Sequence, residues 1–450
     1  MQEVIIIGAG FSGISASKKL NQANIPFLVL EARDRLGGRV YTKKLSEDLY
    51  LDFGGQWIGP GQDRMYELCR EFGLEYYETY DQGNNLLDFG KKVRKFKGLI
   101  PKLDIVSLIN LDLVLKKLER MAKSISLEEP WNHPKAMEYD RISLAEFISV
   151  NCKTISCKKI VSLALETVFA SELNEISLLH ALFYIKSGRD LNTLINIKDG
   201  AQLHRIVGGM QSLIEKMAAP FHDKIHFNRT VKKILQENEV IKVKGEDFEL
   251  TCKKLIIAIP PPLVSKLEFE PMLSGKKRQI IDRISMGQVG KCFMVYKKPF
   301  WRENDFSGQA FADANSPFQS IFDCSPKDTK YGILMGFTIA KRAREYFTKS
   351  KEERKNIMKG KLIQYYGNEA AEPLLYEDFT MTDEAWSRGC YAGLYPTGAW
   401  TGFQNAYSKA EGNILWAGTE ASPIWFGYIE GAVRAGESAA ESVRLAYKNS

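Results

Sequence analysis

The chain has 450 residues, 44% of them hydrophobic and 26% charged, with a formal net charge of +7. That length supports two or three domains with ample core, and the composition is that of a water-soluble globular protein. The positive surplus is small and spread among Asp and Glu, which argues against a nucleic-acid partner and only mildly for anionic ligands.

The opening MQEVIIIGAGFS runs straight into glycines with no cleavage region, so it is not read as a secretory signal. No apolar window has the length of a bilayer span, so no transmembrane anchor is expected. EVIIIGAGFSGISASKKL is a β-branched run, a glycine turn and a helical pattern, with Gly8, Gly10 and Gly13 fitting G-x-G-x-x-G. In that setting Gly8 makes the tight turn, Gly10 opens backbone N–H groups to a pyrophosphate beside Ser12, and Gly13 lets the helix pack close. A second strand, FLVLEA, ends at Glu31, placed to hold a ribose hydroxyl. RDRLGGRVYT adds Arg33, Gly38 and Arg39, and LDFGGQWIGP adds Gly54, Gly55, Gln56 and Trp57. Further glycine pairs with arginines suggest a long ligand laid along the backbone, as FAD would be.

From about Asp81 to Gln202 the pattern turns helical, with Ser143 as an N-cap in DRISLAEFISV. The Lys-flanked apolar stretch Leu99–Leu115 is expected to pack over the entrance to a binding site, with contact to a membrane surface as the competing reading. After a glycine turn and a helix in HRIVGGMQSLIEKMAAPF come four predicted strands, VKKIL, EVIKVKG, FELTC and LIIAIP. Val231, at the start of the first, is a candidate for backbone contact with adenine. Strands and helices then alternate to about Asp383, and NILWAGTEASPIWFGYIEGAVRAGESAAESVRLAY reads as strand, loop and helix. Gly431, Ala432, Ala435, Gly436 and Ala439 give that helix a small-residue face suited to close approach to a sheet or a flat ligand.

The seven cysteines, at 69, 152, 157, 252, 292, 324 and 390, form an odd, dispersed set, as expected of reduced thiols in the cytoplasm. Cys152 and Cys157 lack a second pair or a histidine, so no metal site is expected.

In chain order these segments resemble the flavin-containing amine oxidase superfamily, and four later ones resemble its monoamine oxidase branch. GQVGKCFMVYKKPFWR resembles the flavin-site lysine segment, AWSRGCYAGLYPTG the cysteinyl-flavin segment, WAGTE the flavin-edge loop and GYIEGAVRAGESAA the closing helix. DGAQLHRIVGG resembles the segment with a cavity glutamine. The resemblance implies an α/β fold in which a Rossmann-like FAD-binding domain of the glutathione-reductase type (1–77, 206–280 and 384–450) interleaves with an α+β substrate-binding domain (78–205 and 281–383). It implies an FAD-dependent oxidase turning a primary or secondary amine into an imine, with reoxidation by O2. It makes Cys390 a covalent 8α-S-cysteinyl anchor for FAD, and Tyr391 and Tyr428 the walls of an aromatic cage in front of the flavin. Lys291 would hold a water near flavin N5 and supply positive charge during reoxidation. Trp386, Gly418, Glu420, Gly427 and Ile429 join the cofactor-binding set, while Ile195 and Gln202 join both tyrosines around the substrate. A homodimer is part of the expectation. The tyrosine pair suits the physics, because electron-rich faces orient an amine nitrogen, and desolvation between them favours the neutral base.

Within the class the competing readings are a diamine or polyamine oxidase and an L-amino-acid oxidase. The first would want a carboxylate at the far end of the cavity, for which Glu172 and Glu175 are the nearest candidates; the second would want an arginine facing a substrate carboxylate. Outside it stands a non-catalytic flavoprotein.

Overall fold

Val4, Ile5, Ile6 and Ile7 are fully or nearly fully buried, and this β-branched run forms the strand Gln2–Ile7 at the heart of an eight-stranded sheet. The computed structural model describes residues 1–90, 92–98, 100–313, 316–327 and 329–448. Gln2–Ile7 pairs in parallel with Phe27–Leu30 on one side and Glu249–Ile257 on the other. Ile225–His226 extends the sheet beyond Phe27–Leu30. Val240–Lys244 and Lys233–Glu237 add antiparallel strands, and Ile414–Trp416 pairs in parallel with Glu249–Ile257. FELTC and LIIAIP, predicted as two strands, thus form one nine-residue strand. Its outer half pairs with the hairpin while its inner half is buried between parallel neighbours, so a change of environment within one strand imitates a break.

The helix Phe11–Gln22 follows the glycine turn, and a Cβ at Gly13 would stand 1.9 Å from the Gly8 carbonyl oxygen. The C-terminal helix Ile429–Lys448 packs on it, where a Cβ at Gly436 would meet the Ser12 carbonyl oxygen at 2.0 Å. Of the two uses the sequence suggests, a sheet or a flat ligand, Ala432 on this face lines the cavity, while Gly436 serves helix-on-helix contact.

A second sheet of seven strands runs in the order Leu375–Thr380, Val289–Tyr296, Gly332–Ile339, Ser320–Asp323, Phe306–Ala312, Asn84–Asp88, Val93–Phe96. All eight residues of Val289–Tyr296 are buried, Lys291 included. Helices Ile105–Ser124, Leu144–Asn151, Ile155–Phe169 and Leu178–Ser187 form the helical region. Ser143 caps the second of these in a capping box with Glu146. Asp104, which the sequence reading passed over, caps the first through the Ser107 N–H. Leu99, where the predicted entrance segment begins, lies outside the described residues. Among those residues no helix is long and apolar enough to cross a membrane.

Candidate active site

A cavity of about 830 Å³ runs between the two sheets and the helical region. That is within the range of roughly 300–1,000 Å³ usual for cofactor and small-molecule sites. Its first end lies at the glycine turn. Gly8 adopts φ +102°, and a Cβ there would meet the Ala258 carbonyl oxygen at 2.8 Å. No side chain caps helix Phe11–Gln22, which begins at Gly10, so its first N–H groups face the cavity with the positive end of the helix dipole. Glu31 accepts from Ala9 N at 2.7 Å and Arg33 N at 3.0 Å. Arg33 in turn is held by Glu384 and by Ser387 Oγ at 2.8 Å. Ser12 Oγ accepts from Gly418 N at 2.8 Å, tying the turn to the flavin-edge loop of the sequence reading. Val231 and Trp386 line this cavity as well. An uncapped helix N-terminus, a fixed carboxylate and a side-chain-free floor fit a dinucleotide pyrophosphate and ribose.

Further in, Gly38, Arg39, Gly54 and Gly55 form a second stretch where backbone is the wall. A Cβ at Gly54 would lie 2.2 Å from the Arg39 carbonyl oxygen. Arg39 and Glu420 form a bidentate pair at 2.5 and 2.9 Å. Burial alone would raise the Glu420 pKa, yet Arg39 holds it below the ordinary value, and Glu420 likewise raises Arg39 against its own burial. Arg39 also donates to the Tyr391 carbonyl at 2.9 Å, and Glu420 accepts from Gly393 N at 2.9 Å. Glu420 and Gly13 do not line the cavity; the first acts through Arg39 and the Gly393 segment, the second through helix packing.

Lys291 enters from the all-buried strand, and its Nζ donates to Asp52 O at 2.9 Å, Gly54 O at 2.6 Å and Gln56 Oε1 at 2.7 Å. Three protein acceptors thus surround the ammonium and match its three donors. Burial pulls its pKa down to about 8, with the Asp52 carboxylate opposing. Asp52 is itself paired with the buried Arg205 at 3.1 Å and accepts from Thr42 Oγ1 at 2.6 Å. Cys390 lines the cavity with its thiol pushed up to about 11 by burial, against the pull of Arg39 and Lys291. At neutral pH the free thiol is therefore protonated.

The far end is aromatic and apolar. Tyr391 and Tyr428 line it together with Tyr184, Phe337 and Phe322. Tyr184 and Tyr428 rings stand 6.1 Å apart, and Phe337 meets Tyr391 edge-on at 6.2 Å. Burial raises the pKa values of Tyr184, Tyr391 and Tyr428, so all three hydroxyls stay protonated at neutral pH. Ile195 ends the short helix Leu191–Ile195, and Gln202 donates from Nε2 to Leu194 O at 3.2 Å. Gln202 Oε1 and Trp57 Nε1 are buried without a protein partner on residues that line the cavity, which leaves one acceptor and one donor for a ligand.

Gly10, Gln56, Gly418, Gly427 and Ile429 complete the predicted residues found on the lining. Glu172 and Glu175 do not reach it: Glu172 faces Lys341 N and Arg344, and Glu175 accepts from Ser171. Asp81 does line it, its pKa raised by burial against the pull of Lys198. Tyr184, Asp52 and Arg205 escaped the sequence reading. Tyr184 sits in the mostly apolar run LLHALFYIKS, where an aromatic reads as core, and Asp52 and Arg205 meet only through long-range packing.

Two sheets, an uncapped glycine-turn helix and a cavity ending in tilted and edge-on aromatics define a flavin-binding oxidoreductase. The family model described as flavin containing amine oxidoreductase matches residues 11–444. The chain is 34% identical to amine oxidase [flavin-containing] A of Canis lupus familiaris, over 98% of this chain and 85% of that protein. It is 32% identical to the putative flavin-containing monoamine oxidase AofH of Mycobacterium tuberculosis, over 98% and 96%. Among solved structures, putrescine oxidase bound to putrescine superposes with a TM-score of 0.94 at 28% identity, over 98% of both chains. Cyclohexylamine oxidase from Brevibacterium oxydans IH-35A gives 0.94 at 27% identity, over 99% of both. The chain belongs to the flavin-containing amine oxidoreductase family and has its mixed α/β fold, and it is an enzyme of FAD-dependent amine oxidation.

Proposed function

We propose that the protein is a cytoplasmic, homodimeric monoamine oxidase with FAD joined to Cys390. The observation that carries the reading is the single cavity that joins the glycine turn, Cys390, Lys291 and the tyrosines. The predicted FAD-binding segments supply its glycine end, and the predicted substrate-binding segments supply Lys291, Ile195, Gln202 and the helical wall. Held by the glycine turn, Arg39 and Cys390, FAD would supply a two-electron acceptor for the amine α C–H, so that amine and O2 would become imine and H2O2, and water would convert the imine of a primary amine to an aldehyde and ammonia.

The residues do the rest. Tyr391 and Tyr428 present ring faces to the amine nitrogen and strip its water, which lowers its pKa and favours the neutral base. Gln202 Oε1 accepts an amine N–H. Ile195 limits the passage between the aromatic end and the helical wall. Lys291, fixed by three acceptors, supplies a positive charge where O2 is reduced.

A diamine reading has one observation in its favour, Asp81 on the cavity wall, and putrescine oxidase is among the structural neighbours. Lys198 lines the same wall and already offsets the Asp81 charge, so a monoamine is the better fit. Steady-state rates decide: kcat/KM for benzylamine is expected to exceed that for putrescine by about tenfold or more, one such factor being about 1.4 kcal/mol.

Covalent attachment is tested by acid precipitation of wild type and Cys390→Ala. Yellow flavin is expected in the wild-type pellet and in the supernatant of the variant. Yellow in the wild-type supernatant would make Cys390 a bystander and leave FAD and the fold standing. Anaerobic benzylamine is expected to bleach the flavin, whereas a binding protein without catalysis would keep its colour.

A further inference from the structure

Cys152 and Cys157 are both buried, at 7% and 0% exposure, and their side chains meet in a hydrogen bond. The contact raises the Cys152 pKa and lowers that of Cys157, so the Cys152 thiol is the donor and the Cys157 sulfur the acceptor. Two helix ends bring them together. Cys152 follows helix Leu144–Asn151, its N–H still bonded to Ile148 O at 2.8 Å. Cys157 stands in the first turn of helix Ile155–Phe169, its N–H held by Thr154 Oγ1 at 3.2 Å. Helical side chains lean back toward the N-terminus, which carries Cys157 to Cys152. The pair lies just beneath the surface, since Lys153, Ile155 and Lys158 around it are exposed.

We propose that Cys152 and Cys157 are a redox-modified dithiol, closed to a disulfide by hydrogen peroxide and reopened by a dithiol reductant. Burial pushes the Cys152 thiol up to about 12 and raises Cys157 as well, while the Cys152 hydrogen bond and the positive end of the helix work the other way on Cys157. Cys157 is therefore the attacking sulfur. Its thiolate takes one oxygen of the peroxide as a sulfenic acid, the O–O bond breaks, and the hydroxide that leaves picks up the thiol proton as water. The Cys152 sulfur then displaces the sulfenic oxygen, which departs as a second water. Two thiols and one peroxide thus give one disulfide and two waters. The small thiolate fraction makes the step slow, so the pair answers accumulated peroxide and not each turnover. Peroxide is the product of the oxidase reaction proposed above, and for its source the inference rests on that reading. The pair is also joined to the cavity. Ile160, Val161, Ala164 and Val168 of helix Ile155–Phe169 line it, as do Leu111 and Leu115 of helix Ile105–Ser124, whose Asn110 Oδ1 accepts from Lys153 N at 2.6 Å. A disulfide fixes the end of one helix to the start of a cavity-wall helix, so the redox state of the pair is felt at the amine site.

Reduced holoenzyme is treated with hydrogen peroxide, alkylated in denaturant and digested with trypsin without reductant. Cleavage after Arg141, Lys153 and Lys158 puts the two cysteines in separate peptides, 142–153 and 154–158, so the closed pair appears as one linked species that reduction separates. That species is expected after peroxide. The KM for benzylamine is expected to shift by about fivefold with it, the low end for coupling between two sites, at unchanged flavin absorbance. Dithiothreitol should reverse both. Cys152→Ser is expected to leave Cys157 as a sulfenic acid that dimedone traps, and Cys157→Ser to give neither a linked peptide nor label at Cys152. Flavin absorbance reports that each variant folds. Two separately alkylated peptides after peroxide overturn the inference, as does one KM for the open and closed forms. A pair that closes with added peroxide but not with benzylamine in air keeps the dithiol and overturns the oxidase reading instead.

Discussion

Lys291→Met is expected to slow reoxidation by O2 about 10²–10³-fold, the scale of losing one preorganised charged donor, about 2.7–4 kcal/mol of barrier. The rate of flavin bleaching under anaerobic amine changes far less, because the tyrosines and Gln202 stay in place. Rapid mixing of reduced enzyme with oxygenated buffer separates the two half-reactions. The pH dependence has a definite sign. Lys291 is charged below its pKa of about 8 and neutral above it, so the wild-type oxygen rate falls as pH rises through that value. The Met variant should be flat across the same window. An oxygen rate unaffected by the substitution would remove Lys291 from the chemistry. For stability the sign is the opposite: between about 8 and the ordinary 10.5 the unfolded chain holds a proton that the folded chain has released. This group therefore makes folding more favourable as pH rises through the window, and its burial costs stability at neutral pH.

Glu420→Ala is expected to destabilise the protein by about 3 kcal/mol, the lower end for a broken buried pair, because it strands the partly buried Arg39 guanidinium with only the Tyr391 carbonyl as acceptor. Glu420→Gln should cost less, since it keeps an acceptor for Gly393 N. The Glu420 carboxyl has a depressed pKa when folded, so its contribution is fully present above the unfolded value near 4.3 and is lost as pH falls through the folded one. Urea unfolding of holoenzyme at neutral pH, and again below about pH 4, measures both effects. Equal midpoints for wild type and Glu420→Ala would show that the pair contributes nothing net. Because Arg39 also fixes the Tyr391 carbonyl, the same variant should disturb the aromatic end, seen as a higher KM for the amine.

Residues whose meaning is local could be read from the chain alone. Gly8, Gly10, Gly13 and Glu31 declare a dinucleotide turn because the turn, the helix start and the strand end lie within thirty-one residues. Ser143 declares a helix start by its place before an apolar run, and Lys291 stands out as one charge in an apolar strand. The segment after Val231 misleads for the opposite reason: one strand crosses from a hairpin into the parallel core, and its apolar pattern changes midway.

The pattern of residues by itself determined the cofactor class, the strand carrying Lys291 and the order of segments, since each depends on spacing along the backbone. Only the tertiary structure decided that Glu420 acts through Arg39, that Lys291 spends its three donors on Asp52, Gly54 and Gln56, and that Tyr184 joins Tyr428. It also decided that Asp81, not Glu172 or Glu175, reaches the cavity, and that one face of helix Ile105–Ser124 stays uncovered. The physical reason is distance along the chain. Arg39 and Glu420 are 381 residues apart, and Lys291 and Asp52 are 239 apart. Partners that far apart leave no periodicity or spacing to read, and which of several candidate charges meet depends on how the sheets and helices pack.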